Sequence, residues 1–226
     1  MIEHRRLLLG GSLVACTALC AALGITDPSN AANYPTRFLL WNLFLAWLPL
    51  LFALASAASR RGWVAGVWGV LWLAFLPNAP YLITDLMHLR GPSGELWRHV
   101  LQFGVAAWTG VVLGVVSLRI MHLRVAERFG AGIGWSFAAA AAVACAVGVA
   151  IGRFMRWNSW DVIAAPRRIA RDTLGLFTDP LADVRSTGVA VAVGLFFGLA
   201  YLTVVGLEGG PLARQTGHAQ VGGEVR

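Results

Sequence analysis

Six long apolar stretches alternate with short polar segments along the chain, at about residues 7–24, 37–58, 62–76, 97–121, 131–152 and 187–207. A helix of about 20 apolar residues crosses the hydrocarbon core of a bilayer, and most of these stretches approach that length. The pattern predicts an all-α polytopic membrane protein: one transmembrane helical bundle of about six helices over residues 1–208. Residues 209–226 are polar and rich in glycine, and this composition predicts a disordered tail.

The third apolar stretch ends at two closely spaced prolines, Pro77 and Pro80. Each proline removes a backbone donor and obstructs the preceding helical turn. We therefore predict that the third helix breaks here and restarts at Pro80, since proline suits the first helical position. In the restarted segment Tyr81, Asp85 and His88 recur at helical spacing, so they share one face.

A short amphipathic segment separates the fifth apolar stretch from the sixth. Residues 166–176 place Arg167 and Arg171 on one side of a helix, and Ile169 and Leu174 on the other. Such a segment is typical of a helix that lies in the membrane interface. We therefore predict an interfacial helix between the fifth and sixth spans.

Composition supports a membrane location. Apolar residues make up 58% of the chain, the mean hydropathy is +0.67 and only 13% of residues are charged, against about 25% in a soluble domain. The net charge is +7, and all 18 basic residues counted in it are arginines, because the chain contains no lysine. The arginines flank apolar spans instead of forming a basic surface with stacking aromatics. We expect membrane lipids as partners and no nucleic acid.

Two features bear on topology. The first stretch follows a basic start and also resembles a secretory signal peptide, although its length favours an uncleaved helix. Arg60 and Arg61 form a tight basic turn, and a short basic link follows the fourth stretch. The positive-inside rule places both on the cytoplasmic side. We expect a multi-pass protein of the bacterial cytoplasmic membrane with both termini in the cytoplasm.

Polar residues collect at one membrane face. The third and fifth spans run in the same direction, so their carboxyl ends meet there, together with the starts of the second and fourth. Ionisable groups at membrane depth are costly and tend to pair with one another. We assign substrate binding to Arg153, Arg156, Asn78, Tyr81, Asn158 and Asn42, and catalysis to Asp85, His88 and Asp161.

The residue types suggest the chemistry of this face. Arg153 and Arg156 lie three residues apart, and paired guanidinium groups suit phosphate or carboxylate oxygens. Asp85 and His88, also three apart, suit an acid–base pair or two metal ligands. No third metal ligand is evident, so we predict no metal site, and no cofactor is identified. The arginines also fit a snorkelling role at helix ends, and Asp85 can neutralise Arg153.

Two motifs bring most of these residues together: LPNAPYLITDLxHL over residues 76–89 and GRFxRWNSWD over residues 152–161. On these motifs the chain resembles a bacterial multi-pass membrane-protein family catalogued as domain of unknown function 1361. The resemblance extends from about the second span to the sixth. It implies a multi-pass architecture and supplies no activity.

Three functions fit the pattern, and the sequence does not decide whether the protein is an enzyme. The first is a polar pocket that binds or processes an anionic amphiphile, such as a lipid headgroup or an isoprenoid phosphate. The second is a small-solute transporter or channel, since broken helices expose backbone to substrates in transporters. The third is an accessory subunit of a membrane complex, in which the polar cluster is purely structural.

Glycine pairs at four-residue spacing suggest close helix contacts. Such pairs recur along the chain and include Gly62 with Gly66 and Gly110 with Gly114. We expect that some of these pairs pack helices within the bundle. Others are candidates for contacts between copies of the chain in a homo-oligomer.

Overall fold

A computed structural model describes residues 2–26, 37–89, 96–155, 164–178 and 183–209. Every regular element in these ranges is helical. The α-helices are α1 (Ile2–Ile25), α2 (Arg37–Ala58), α3 (Gly62–Phe75), α4 (Asn78–Thr84), α5 (Leu96–Phe129), α6 (Ala131–Phe154), α7 (Pro166–Thr178) and α8 (Val184–Gly209). A 3₁₀ turn, Asp85–His88, continues α4.

Six segments are long and apolar enough to cross a membrane, which confirms the predicted all-α, six-span architecture. The third of them, Gly62–His88, joins α3, α4 and the 3₁₀ turn. α5 runs eight residues beyond the predicted end at Met121. It ends before Gly130, whose φ of 95° lies in the left-handed region that glycine favours.

The third span is interrupted at Leu76 and Pro77, as predicted, and its second part begins earlier than predicted. α4 starts at Asn78 instead of Pro80. Pro80 is then its third residue, where the missing N–H has no acceptor within the helix in any case. The Ala79 N–H donates to the Leu76 carbonyl at 3.1 Å. The Phe75 carbonyl instead accepts a hydrogen bond from the Asn78 side chain at 2.9 Å, which keeps this acceptor satisfied within the bundle.

α5 is the central helix of the bundle and contacts α1, α2, α4, α6 and α8. Its glycines allow close approach: a Cβ added at Gly110 would lie 2.3 Å from the Ala79 carbonyl oxygen, and one at Gly114 would lie 2.9 Å from the Phe197 ring. Gly62 and Gly66 on α3 meet nothing within 4 Å. The first pair therefore packs helices inside the bundle, and self-association through the second stays a prediction.

Arginines of α5 cap neighbouring helices. Arg98 donates to the carbonyl of Thr26 at 3.0 Å, beyond the end of α1. Arg124 donates to the carbonyls of Ala57 and Ser59 at 2.9 and 3.0 Å, at the end of α2. The last carbonyls of a helix lack partners within it. These two arginines supply donors for them and tie α1 and α2 to the central helix.

Asp183 caps the start of α8. Its carboxylate accepts hydrogen bonds from the hydroxyl and the backbone N–H of Ser186, the second at 3.1 Å. These bonds favour the ionised carboxylate and lower the pKa of Asp183. A lowered pKa means that the stabilisation is present above the unfolded-state pKa, about 3.9, and is lost as the pH falls through the folded-state pKa.

We therefore expect that Asp183→Ala lowers the melting temperature at neutral pH, because Ser186 loses its acceptor. The deficit relative to the unmodified protein should shrink as the pH falls below about 4, where the carboxylate becomes protonated. Thermal unfolding of both proteins in detergent across pH 3 to 7 measures this difference. A deficit that stays constant over the whole pH range would contradict the capping role.

Candidate functional site

Arg153 lies in the last turn of α6, and its side chain is only 9% exposed. Its Nη1 donates to the Tyr81 hydroxyl and to Oδ1 of Asp85, both at 2.9 Å. The guanidinium carbon also stands 5.2 Å from the centre of the Tyr81 ring, which adds a cation–π contact. α6 is thereby joined to α4 and the 3₁₀ turn.

The other nitrogens of Arg153 bind the same segment. Nη2 donates to the Thr84 carbonyl at 2.8 Å and to Nδ1 of His88 at 3.0 Å, and Nε donates to the Met87 sulfur at 3.1 Å. A guanidinium has five N–H donors, and Arg153 makes five such contacts. Its hydrogen-bonding capacity is therefore used within the protein, so in this conformation it has no N–H left for a ligand.

Asp85 is fully buried, and both of its carboxylate oxygens are bound. Oδ1 pairs with Arg153, and Oδ2 accepts a hydrogen bond from the Asn42 side chain of α2 at 2.9 Å. A buried charge is tolerated only when it is paired and hydrogen-bonded. Asp85 thus connects the second, third and fifth spans at one point.

His88 is the exposed member of this group. Because arginine can only donate, Nδ1 of His88 must accept the hydrogen bond from Arg153, which leaves the ring proton on Nε2. The ring packs edge-on against Phe38 of α2, with 5.6 Å between centroids. In this contact with Arg153, His88 carries an N–H donor on Nε2. We name this group the Arg153 cluster: Arg153, Asp85, Tyr81, His88 and Asn42.

Five of the nine predicted site residues thus form one cluster at the membrane face where the sequence placed them. Asn78 lies at the start of α4, where its side chain donates a hydrogen bond to the Phe75 carbonyl at the break between α3 and α4. Arg156, Asn158 and Asp161 lie outside the described residues, as does the predicted disordered tail beyond Gly209.

The catalytic assignments stay predictions. Asp85 is enclosed, with both oxygens occupied, so the described geometry offers it no contact with a substrate. Within residues 2–26, 37–89, 96–155, 164–178 and 183–209, no three His, Cys, Asp or Glu side chains are grouped as a metal site would require. What the cluster does supply is a polar surface in which the Asp85 and Arg153 charges compensate each other, with His88 at its edge.

A second polar group, which was not predicted from the sequence, lies at the opposite end of the bundle. His122 of α5 is buried and its Nδ1 hydrogen-bonds the hydroxyl of Tyr201 on α8. Trp135 of α6 packs edge-on against the His122 ring at 4.7 Å. One turn away, Arg119 pairs with Glu208 at 2.6 Å. The three-residue spacing of Arg119 and His122 was the available signal, but their partners are remote in sequence.

Comparisons with known proteins identify a family and no activity. A family model described as "Protein of unknown function (DUF1361)" matches residues 41–203. The match includes both halves of the Arg153 cluster. No curated protein and no solved structure matches the chain.

Proposed function

Because the chain belongs to the DUF1361 family, whose description leaves the activity open, we propose a function from the geometry of the Arg153 cluster. The protein is a membrane protein that binds the anionic group of an amphiphile, a lipid headgroup or an isoprenoid phosphate. Binding occurs at the membrane face where the third and fifth spans end. Asp85 and Arg153 position the site, and the ligand contacts its exposed edge.

One observation carries this proposal: the exposed imidazole of His88 is held by a buried ion pair. Its Nε2–H is a donor suited to a phosphate or carboxylate oxygen. Positioning of a ligand-binding group by locked neighbours is what precise recognition requires. A solely structural cluster would not need an exposed histidine held by the arginine of a buried ion pair.

A second candidate function is supported by a different observation. All five Arg153 donors are satisfied inside the protein, as expected for a residue whose only role is to hold α4 against α6. In that case the protein is an accessory subunit of a membrane complex. The helix break gives the transport alternative no added support, because Leu76 and Pro77 keep right-handed helical angles.

Ligand-induced thermal stabilisation separates the two candidates. The purified protein is melted in detergent with and without phosphatidylglycerol, an isoprenyl phosphate, or neutral phosphatidylcholine. A ligand present at 100 times its Kd stabilises by about 2.7 kcal/mol. We expect the anionic amphiphiles to raise the melting temperature and phosphatidylcholine to leave it unchanged.

Three variants locate the effect. His88→Ala should keep the ligand-free melting temperature and lose the ligand-induced rise, and His88→Gln, whose amide N–H lies near the Nε2 position, should retain part of it. His4→Ala, which removes an exposed histidine from α1, serves as the matched control. If His88→Ala lowers the ligand-free melting temperature and leaves the rise intact, the accessory role is the correct one.

A further inference from the structure

α7 is a short helix held at the membrane face. It follows α6, which ends at Phe154, and precedes α8, which begins at Val184. Its 13 residues give a length of about 20 Å, too short to cross a hydrocarbon core of about 30 Å. The Arg185 guanidinium stands 5.8 Å from the Phe154 ring, so the ends of α6 and α8 lie side by side. α7 is therefore tethered at both ends to one face of the bundle.

One side of α7 is basic and open. Arg167 and Arg168 are exposed, and the Arg171 side chain is 79% exposed. Asp172, the one acidic residue of this helix, stands 3.7 Å from Arg171. Three arginines against one aspartate leave a net charge of +2 on the helix. Arg171 stays largely exposed despite this ion pair, so all three guanidinium groups are open to anionic oxygens outside the protein.

The other side of α7 is apolar and only partly covered by the protein. Ile169 is half-buried, whereas Leu174 is 63% exposed. Ile169 lies opposite the arginines, whereas Leu174, three residues after Arg171 and seven after Arg167, lies at the border between the apolar side and the basic side. An apolar side that the bundle leaves open, beside a basic side at a membrane face, matches the surface that enters the boundary between headgroups and acyl chains.

We propose that α7 docks on the bilayer itself and selects anionic phospholipid headgroups. Leu174 enters the acyl boundary, and Arg167, Arg168 and Arg171 contact lipid phosphates. Each basic residue near an anionic surface strengthens association roughly fivefold. The tethers to α6 and α8 keep the helix at the surface, so lipid charge sets how deeply α7 is inserted. This surface is separate from the Arg153 cluster.

An environment-sensitive fluorophore on Leu174→Cys tests the proposal in the full chain. Cys16, Cys20 and Cys145 are replaced by alanine, and the protein is placed in nanodiscs of phosphatidylcholine or of phosphatidylglycerol. We expect quenching by acrylamide, a neutral aqueous quencher, to fall roughly threefold or more in the anionic lipid. High salt should remove most of the difference because it screens exposed charges.

Matched variants assign the effect to α7. The triple variant Arg167→Gln, Arg168→Gln and Arg171→Gln should show the same quenching in both lipids. Arg60→Gln with Arg61→Gln, on the opposite face, and His88→Ala should behave like the parent. A label at Leu195, a lipid-exposed position of α8, reports any general change in the bilayer. Equal quenching of the Leu174 label in both lipids would overturn the proposal. If that equal quenching is strong, the label stays in water in both lipids, as expected for a helix that binds a protein partner instead of the bilayer.

Discussion

Replacing Asp85 with asparagine should lower the free energy of unfolding by about 3–5 kcal/mol, the usual effect of removing one partner from a buried ion pair. The substitution preserves size but leaves the Arg153 charge buried without a counter-charge. It also places an amide N–H₂ against one of two donors, Asn42 or Arg153. Unfolding in mixed detergent, followed by circular dichroism, measures the change.

The Arg119–Glu208 pair provides the matched control. Its side chains are 20% and 48% exposed, against 9% and 1% for Arg153 and Asp85. Exposed ion pairs contribute about 0–1 kcal/mol, so Glu208→Gln should change stability by no more than that. Similar losses for Asp85→Asn and Glu208→Gln would show that burial does not distinguish the two pairs.

Gly110→Ala should also be strongly destabilising. The new Cβ would lie 2.3 Å from the Ala79 carbonyl oxygen and 2.8 Å from a methyl group of Leu82. Real Cβ atoms do not approach backbone this closely, so α4 must move away from α5. Overpacking usually reduces stability by about 1–3 kcal/mol. We expect Gly110→Ala to reach or exceed the top of this range, because the clashing atom belongs to the backbone of Ala79 and cannot rotate away. Because α4 leads into Asp85, the shift should also weaken the Arg153 cluster.

Gly104→Ala on the same helix is the control for Gly110→Ala. Gly104 is exposed and its added Cβ would meet nothing within 4 Å. Alanine is a better helix former than glycine by about 0.5–1 kcal/mol, so this variant should be neutral or slightly stabilising. Thermal unfolding of both variants compares them directly. Equal effects at the two positions would mean that α4 does not pack on Gly110 as described.

The helical architecture could be predicted from the sequence because the thickness of the bilayer sets the length of each apolar stretch that crosses it. Six spans were expected, and six helical segments in the described part of the chain are long and apolar enough to cross a membrane. The parallel direction of the third and fifth spans was sufficient to bring Arg153 near Tyr81, Asp85 and His88. These predictions depend only on helix geometry and chain order, which local sequence determines.

The sequence could not determine which partners Arg153 takes. That choice depends on where α4 begins. It can begin at Asn78 because Pro80 then lies in the first turn, where its missing N–H removes no hydrogen bond within the helix. It also depends on Asn42, which reaches Asp85 from another helix. The anion-binding role predicted for Arg153 assumed open donors, whereas the structure uses all five internally.

The glycine pairs also show that sequence spacing alone does not identify which helices are in contact. Gly62 with Gly66 and Gly110 with Gly114 have identical spacing, but only the second pair contacts other helices. Spacing places two residues on one face of a helix and does not tell which way that face points. His122 and Tyr201 went unrecognised for a related reason, because their contact joins residues 79 positions apart.

A double-mutant cycle on Asp85 and Arg153 tests the central claim most directly, namely that these residues form one buried pair that holds the kinked third span against the fifth. The free energies of unfolding are measured for Asp85→Asn, Arg153→Gln and the double variant. We predict a coupling energy of about 2–3 kcal/mol, near the top of the range for contacting residues, with the double variant more stable than the sum of the single effects implies. Single effects that add to within about 0.5 kcal/mol, as for independent sites, would contradict the account.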